Sequence, residues 1–229
     1  MGIAWTGGWD RLQLRDSARE GEIAMSSGRP MVYVLDDDSR IREALSALLS
    51  SAGHEVVTFS NAAEYLAFQR PDASSCLILD LDLPGMSGLE LQTKLGDVGG
   101  PPIVFLTGHG DIPSTVKAMK AGATEFLSKP FEPEELLRAV ETAIHLDSEL
   151  RVKKAELSAI QQRYSLLTPR EREVLPYVVS GLLNKETAWE LGTSEITIRI
   201  HRGQIMKKMV AQSLADLVRM AGKLGIPKS

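Results

Sequence analysis

The amino-acid sequence predicts an α/β domain with a doubly wound, five-stranded parallel sheet, followed by a long helix and a second domain made only of helices. Five short apolar runs alternate with stretches of helical periodicity between residues 31 and 133. The runs are apolar almost throughout, as in strands that helices cover on both faces of a parallel sheet. From residue 133 onward the readable signals are helix caps and helical periodicity.

The strands of the first domain are short, and the helices between them carry ordinary start and stop signals. The predicted strands span Met31–Leu35, Glu55–Phe59, 76–80, 103–106 and 124–128. Ser39 can cap the first helix, which Gly53 ends. The next three helices are expected at 61–68, 88–95 and 113–121, the last closed by Gly122. Pro133 stands where helices favour proline, in the first turn of the fifth helix.

The fifth helix is expected to run on beyond the first domain, because no glycine or proline interrupts residues 134–164. It carries an apolar stripe with alternating spacings of four and three, formed by Leu146, Leu150, Leu157, Ile160 and Tyr164. Lys153 occupies the one gap in this stripe. About two and a half heptads are too few to distinguish a seam that pairs with a second chain from a plain solvated linker helix.

The second domain opens with a strong helix start. Thr168 is a capping residue, Pro169 takes the first helical position, and Glu171 is placed for a capping box. Three further helices are expected at about 184–191, 195–209 and 213–224. Gly192 and Ser194 separate the first two of these, as a stop and a new cap.

Charge and cysteine content narrow the class of protein. Residues 30–146 carry 8 Lys and Arg against 17 Asp and Glu, whereas residues 165–229 carry 10 against 6. An acidic half tied to a basic half suggests two domains with different partners, the basic one a candidate for nucleic acid. The single cysteine, Cys76, excludes an intrachain disulfide, so a reducing cytoplasm is expected. No apolar run is long enough for a membrane span, and no membrane partner is expected.

The first 29 residues show no sustained periodicity and hold five glycines, so we expect a poorly ordered leader. They contain no secretory signal pattern. Met25 stands shortly before the first strand, and translation could start there or at Met1. The predicted division is therefore a leader at 1–29, a first domain at 30–146, a helical linker at 147–164 and a second domain at 165–229.

Polar side chains cluster at the carboxyl ends of four predicted strands, namely Asp36-Asp37-Asp38, Asp80, Thr107 and Lys129. Each alone has a plain structural explanation, such as a helix N-terminal acid, a turn residue or a surface charge. Together they would meet at one edge of the sheet, where ligands gather. Crowded carboxylates favour a hard cation such as Mg²⁺. A carboxylate can also be the nucleophile toward a phosphoryl group, forming an aspartyl-phosphate.

Four runs resemble the receiver domain of two-component response regulators, which has a flavodoxin-like fold. They are VLDDD at 34–38, LDLDLPGMSG at 79–88, LTGH at 106–109 and KPF at 129–131. The resemblance covers about 31–146. It implies that Asp80 is the phosphoacceptor and that Asp37 and Asp80 bind Mg²⁺ directly. The backbone carbonyl of Asp82 would be a further ligand, and Asp36 would act through water.

The resemblance also implies a switch. Lys129 would contact the phosphoryl group, and the Lys129–Pro130 bond is expected to be cis. Thr107 would turn toward the phosphoryl group while Phe126 moves inward, which would alter the face formed by the fourth helix, fifth strand and fifth helix. The side chains of Asp82 and His109 flank the phosphoryl group in this family and influence its lifetime; the sequence leaves the direction of that influence open.

An enzyme is the remote alternative. The Asp80–Leu81–Asp82 run also resembles the first motif of haloacid-dehalogenase-type phosphatases, with Asp80 as nucleophile and Asp82 as general acid. In that family the Asp-x-Asp strand opens the domain and the acidic pair comes last, whereas Asp36 and Asp37 precede it here. The PGMSG loop at 84–88 also fits the receiver better. We therefore expect no turnover enzyme.

The second domain resembles the four-helix helix-turn-helix of LuxR/NarL-type regulators over about 165–225. The resemblance rests on LTPREREVL at 167–175, Gly181, NKETA at 184–188 and TIRIHR at 197–202. Together with the receiver-like domain, the whole chain resembles the FixJ-like subgroup. It implies that 195–209 is the recognition helix.

The helix at 195–209 has two distinct faces. Ile198, Ile205 and Met209 form an inward face. Arg199, Ile200 and Gly203 lie on another face that can enter a major groove, where arginine can contact guanine and isoleucine a thymine methyl group. Candidates for DNA phosphate contacts, each also explicable as a solvated charge, are Lys185, Arg202, Lys207 and Lys208.

The expected function is a cytoplasmic transcription regulator. A sensor histidine kinase would phosphorylate Asp80, a homodimer would form, and the paired domains would bind an inverted repeat in promoter DNA, with RNA polymerase as a further partner. No nucleotide-binding loop of the Walker type is present. A regulator that binds DNA independently of phosphate, or a pure interaction protein whose receiver only mediates pairing, is the alternative.

Overall fold

The computed structural model describes residues 29–108 and 112–226, which form five β-strands and nine α-helices. The chain divides into two compact units, with the boundary between Ile144 and His145. The predicted leader up to residue 28, including the Met25 alternative start, and His109 lie outside the described residues.

The first unit is built on a parallel sheet. Its strands are β1 Met31–Leu35, β2 Glu55–Phe59, β3 Ser75–Asp80, β4 Ile103–Thr107 and β5 Glu125–Ser128. They lie in the order β2-β1-β3-β4-β5 with every pair parallel. This is the doubly wound, flavodoxin-like order, so the predicted fold class is confirmed. In it the carboxyl ends of β1, β3, β4 and β5 lie side by side.

Helices cover both faces of the sheet. They are α1 Ser39–Ser51, α2 Ala62–Ala67, α3 Gly88–Val98, α4 Ile112–Lys120 and α5 Pro133–Ser165. Alternate strand residues point to opposite faces. Tyr33 and Leu79 therefore pack with α2, α3 and α4, whereas Val34 and Ile78 pack with α1 and α5.

The start of α1 differs from expectation. The prediction that Ser39 caps this helix is wrong, because Ser39 is its first residue and Asp38 is the N-cap. A carboxylate of Asp38 accepts the backbone N–H of Arg40 at 2.9 Å, and an anion at a helix N-terminus is also favoured by the helix dipole. The hydrogen bonds from Arg40 lower the pKa of Asp38 to about 2.

Helix α5 is continuous, as predicted, and runs from Pro133 to Ser165. The apolar stripe along it has two different environments. Leu146 and Leu150 are exposed, whereas Ile160 is buried in the core of the second unit and Tyr164 packs against that core. The C-terminal part of the stripe therefore serves the second unit's own packing.

The second unit contains four more helices, α6 Pro169–Val179, α7 Asn184–Glu190, α8 Glu195–Met209 and α9 Leu214–Lys223. The predicted capping box is present, with Thr168 and Glu171 each accepting the other's backbone N–H. The core includes Val174, Ile198, Ile205 and Leu217, all buried. Among the described residues, no helix combines the length and apolar character that crossing a membrane requires.

Candidate functional site

The structure brings the acids at the ends of β1 and β3 together. Oxygen atoms from the carboxylates of Asp36, Asp37 and Asp80 all lie within 4.8 Å of one another. Asp36 is 1% exposed and Asp80 is 8% exposed, whereas Asp37 is open to solvent. Two buried carboxylates and an exposed one therefore form an acidic pocket with an open side, which is the prediction made from the strand ends.

Lys129, directly after β5, supplies positive charge to this pocket. Its Nζ donates to Asp36 Oδ2 at 2.7 Å and to Asp80 Oδ2 at 3.0 Å. The Lys129–Pro130 bond is cis, as predicted. One ammonium group thus links the ends of three strands that are far apart in sequence.

The pKa values of Asp80 and Lys129 are shifted by burial and by the hydrogen bonds of Lys129 to the two acids. Burial raises the pKa of the Asp80 carboxyl group, although Lys129 and the backbone N–H of Asp82 act in the opposite direction. Burial also lowers the pKa of Lys129, but its hydrogen bonds to Asp36 and Asp80 outweigh that effect and leave the pKa raised. The lysine is therefore held as a cation beside the acids.

Backbone and side-chain hydrogen bonds orient the acids. The backbone N–H of Asp82 donates to Asp80 Oδ1 at 3.2 Å, and the backbone N–H of Asp38 donates to Asp36 Oδ1 at 2.9 Å. Arg42 on α1 donates to the backbone carbonyls of Asp36 and Asp37 at 2.7 and 2.9 Å. This role of Arg42 was not predicted from the sequence, although the position of Arg42 one turn into α1 could be predicted.

The two residues that are expected to act as the switch lie on the neighbouring strands β4 and β5. Thr107 at the end of β4 is fully buried, and Phe126 on β5 is half-buried with its ring centroid 6.1 Å from that of Phe105.

Gly88, the first residue of α3, lets the loop after β3 pass close to the end of that strand. A Cβ there would lie 2.5 Å from the backbone oxygen of Asp80, so only glycine lets this loop pass the strand end.

The donor set suits a hard divalent cation. Mg²⁺ prefers oxygen ligands and binds through one or two carboxylates while keeping other positions for water and phosphate oxygens. Asp36, Asp37 and Asp80 offer carboxylate oxygens close enough together to act jointly. The chemistry of the pocket's carboxylates therefore fits Mg²⁺.

Helix α8 in the second unit has the two faces that the sequence predicts. Ile198, Ile205 and Met209 are buried. Arg199, Ile200, Gly203 and Lys207 are exposed. The outward face is thus free to contact a partner.

The basic residues proposed for phosphate contacts differ in their surroundings. Lys185 is exposed on α7. Arg202 on α8 donates to Asn184 Oδ1 at 3.5 Å. Lys208 is bound to the buried Glu171, at 2.7 Å from Oε2 and 3.0 Å from Oε1. Lys208 therefore joins α8 to α6, a role that the sequence analysis did not foresee.

Two exposed apolar residues were also missed. Trp189 on α7 is 81% exposed, and Ile196 in the first turn of α8 is 63% exposed. A helical-wheel projection of α8 would have placed Ile196 on the outward face with Ile200. The residues predicted for that face from the sequence were only Arg199, Ile200 and Gly203.

Comparison with protein families matches both parts of the chain. Residues 32–141 match the response regulator receiver domain, and residues 165–221 match the bacterial regulatory proteins of the luxR family. The first match contains the acidic pocket and Lys129. The second contains α6, α7, α8 and nearly all of α9.

Individual relatives resemble the chain over most of its length. Nodulation protein W of Bradyrhizobium diazoefficiens is 48% identical over 208 residues, covering 90% of this chain and 92% of that protein. Response regulator protein TodT of Pseudomonas putida is 46% identical over 201 residues, covering 87% and 88%. The transcriptional regulatory protein FixJ of Rhizobium meliloti is 40% identical over 191 residues, covering 83% and 94%.

Solved structures give the same result. The response regulator StyR is 49% identical with a TM-score of 0.76, covering 86% of this chain and 100% of that one. Full-length FixJ from B. japonicum is 39% identical with a TM-score of 0.50, covering 86% and 97%. A receiver domain implies a histidine kinase partner, and a luxR-type domain implies DNA binding. The chain therefore belongs to the response regulators that join a receiver domain to a LuxR-type DNA-binding domain, a family of transcription regulators.

Proposed function

We propose that the chain is a cytoplasmic, phosphorylation-dependent transcription regulator in which Asp80 accepts a phosphoryl group from a histidine kinase. The observation that carries this proposal is the juxtaposition of Asp36, Asp37, Asp80 and Lys129 at one edge of the sheet. The receiver spans 30–146, residues 147–164 link it to the DNA-binding domain, and residues 165–229 form that domain.

In the proposed reaction an Asp80 carboxylate oxygen attacks phosphorus. The new O–P bond forms as the N–P bond to the kinase histidine breaks, and the imidazole leaves with the bonding electron pair. Lys129 would donate a hydrogen bond to a phosphoryl oxygen; its ammonium group lies 3.0 Å from Asp80 Oδ2, which supports this role. Asp37, Asp80 and the backbone carbonyl of Asp82 would hold Mg²⁺ directly and Asp36 would hold it through water, and the bound ion would neutralise charge on the phosphoryl oxygens.

The buried Thr107 and the half-buried Phe126 are the proposed relay. Thr107 would turn to hydrogen-bond the phosphoryl group, and Phe126 would move into the space that the Thr107 side chain vacates. This movement would change the surface formed by α4, β5 and α5. Two copies would then pair through the altered surface and bind an inverted repeat in promoter DNA, where RNA polymerase is recruited.

The DNA-binding surface in this proposal is the outward face of α8. Arg199 would contact a guanine edge and Ile200 a thymine methyl group, while Gly203 leaves the helix backbone uncovered. Lys185, Arg202 and Lys207 would contact phosphates. Lys208 would contribute positive charge there while it remains bound to Glu171.

The test is intact mass after incubation with Mg²⁺ and acetyl phosphate. We expect one added phosphoryl group on the wild type and none on Asp80→Asn. Asp82→Asn is the matched control, because it removes a neighbouring acid and should keep the adduct. Absence of an adduct on the wild type would favour the regulator that acts independently of phosphate.

The same experiment separates the enzyme alternative. Steady release of inorganic phosphate without an adduct, abolished by Asp82→Asn, would favour a phosphatase with Asp82 as general acid. Promoter binding that Asp80→Asn leaves unchanged under phosphorylating conditions would contradict the switch.

A further inference from the structure

Helix α8 is apolar on two opposite sides. Ile198 and Ile205 are fully buried in the core, whereas Ile196 and Ile200 are 63% and 59% exposed. A helix on the surface of a globular protein ordinarily places polar residues opposite its buried stripe. The exposed isoleucines break that rule, and folding of the chain does not account for them.

The two exposed isoleucines form one continuous stripe. With about 3.6 residues per turn, Ile196 and Ile200 lie one above the other and point away from Ile198. Gly203 continues the stripe toward the C-terminus, and among the described residues no atom other than the local helix backbone lies within 4 Å of where its Cβ would be. Ile196 is the second residue of α8, and the N-terminal residues of a recognition helix are those that reach base edges.

The chemistry of isoleucine restricts what this stripe can recognise. Its side chain has no hydrogen-bond donor or acceptor, and the apolar feature that base pairs display in the major groove is the C5 methyl group of thymine. Building on the proposed DNA-binding function, we propose that Ile196 is a second base-reading residue that packs on a thymine methyl group, in addition to the one read by Ile200.

The separation of the two side chains predicts the spacing of their targets. Four residues rise about 6 Å along a helix, and successive nucleotides on a strand are about 3.4 Å apart. The two thymines therefore lie about two base-pair steps apart in each half-site. The half-site would contain a thymine-rich element even though Arg199 is the polar reading residue on this face.

The experiment replaces thymine by uracil, which removes the methyl group and keeps the base-pairing edge. A duplex selected from a randomised library by the phosphorylated full-length chain is substituted one thymine at a time, and Kd is measured. For the wild type we expect two positions per half-site at which uracil weakens binding about fourfold, the effect of one buried methyl group.

The variants assign each position to a residue. Ile196→Ala should remove the uracil effect at one position and keep it at the other, whereas Ile200→Ala should do the reverse. Ile196 is exposed, and alanine favours helices, so the variant is expected to fold. Leu166→Ala is the matched control, because Leu166 is 64% exposed in the same unit and lies outside α8.

The outcomes separate this inference from the proposed function. If Arg199→Ala abolishes selective binding but no uracil effect depends on Ile196, the second reading residue is wrong and the DNA-binding helix stands. If the wild-type chain selects no DNA sequence at all, the proposed function fails and this inference fails with it. Loss of transcription in Ile196→Ala without any change in DNA binding would assign Ile196 to a protein partner and would also overturn the inference.

Discussion

Lys129 donates a 2.7 Å hydrogen bond to Asp36, a residue 93 positions earlier in the chain. This contact and the one to Asp80 place a cation between two nearly buried carboxylates. Removal of one partner from such a group leaves the others charged and desolvated. The ammonium that we propose for phosphoryl binding thus also balances the charge of these carboxylates within the fold.

Lys129→Met should destabilise the first unit by about 3 kcal/mol near pH 7, because Asp36 and Asp80 lose their buried counter-ion. The loss should shrink as the pH is lowered and the carboxylates take up protons. Urea unfolding at several pH values measures this, with Lys120→Met on α4 as the control at an exposed lysine. Equal stability of the two variants at pH 7 would show that the pocket does not depend on Lys129.

The ion pair of Glu171 and Lys208 predicts a pH dependence of the second unit. Burial raises the pKa of Glu171, but the hydrogen bonds from Lys208 and Thr168 outweigh burial and leave the pKa below its usual value. Unfolded Glu171 therefore binds a proton more readily than folded Glu171. The stability from this group is present above the unfolded pKa of about 4.3 and is lost as pH falls through the lower folded pKa.

Glu171→Gln should accordingly cost roughly 1–3 kcal/mol near pH 7 and progressively less below about pH 4. Calorimetric unfolding of the full chain from pH 7 down to pH 3 follows the difference between wild type and variant. Glu173→Gln is the matched control, because Glu173 on the same helix pairs with Arg170 on the exposed surface. A difference that is constant with pH would contradict the assigned shift.

Gly203 predicts opposite effects on stability and DNA binding. Because only the local helix backbone lies within 4 Å of its Cβ position in the part of the chain that the structure describes, Gly203→Ala should stabilise α8 by about 1 kcal/mol through helix propensity. If the helix backbone lies close to DNA, as proposed, the added methyl group should weaken binding severalfold. Thermal unfolding and Kd on the selected duplex test the two halves. Gly222→Ala, with equally open surroundings on α9, should raise stability without affecting DNA binding.

Val210 follows α8 in a left-handed conformation with φ of 56°, which a β-branched residue rarely adopts. It is half-exposed, so little packing depends on it. Val210→Gly should therefore stabilise the second unit by about 1 kcal/mol, because glycine adopts this conformation without strain. Thermal unfolding measures the change. Val152→Gly, in the middle of α5 and similarly exposed, should instead be destabilising.

The local pattern of apolar and capping residues predicts the strands and helices of both units. The apolar runs at β1 and β2 matched the observed strands in full, and the helix predicted at 195–209 has those bounds as α8. The start of α1 was less accurate, because Asp38 and Ser39 are both good caps and only the backbone conformation decides between them. Periodicity and capping are readable since they depend on residues within a turn or two of one another.

The acidic pocket could also be predicted from the sequence, because it depends on where each strand ends along the chain. A parallel sheet brings carboxyl strand ends to one edge, so Asp36, Asp80 and Lys129 could be placed together from chain position alone. The ion pairs that Lys129 makes with Asp36 and Asp80 could not be predicted in the same way, and from the sequence Lys129 was expected to contact only a phosphoryl group. The carboxylate oxygens that a lysine ammonium contacts depend on the order of the strands in the sheet. They also depend on differences in atomic position of less than an ångström.

The sequence by itself determined the order of strands and helices along the chain. It also determined which acidic residues follow the strands and which family motifs each domain carries. Only the tertiary structure decided that Lys129 binds both Asp36 and Asp80 and that Lys208 forms an ion pair with Glu171. It also decided that Ile160 is buried in the second unit. The reason is physical. Hydrophobic periodicity repeats over three or four residues and is written along the chain, whereas the partner of a buried charge is set by packing between segments that are distant in sequence.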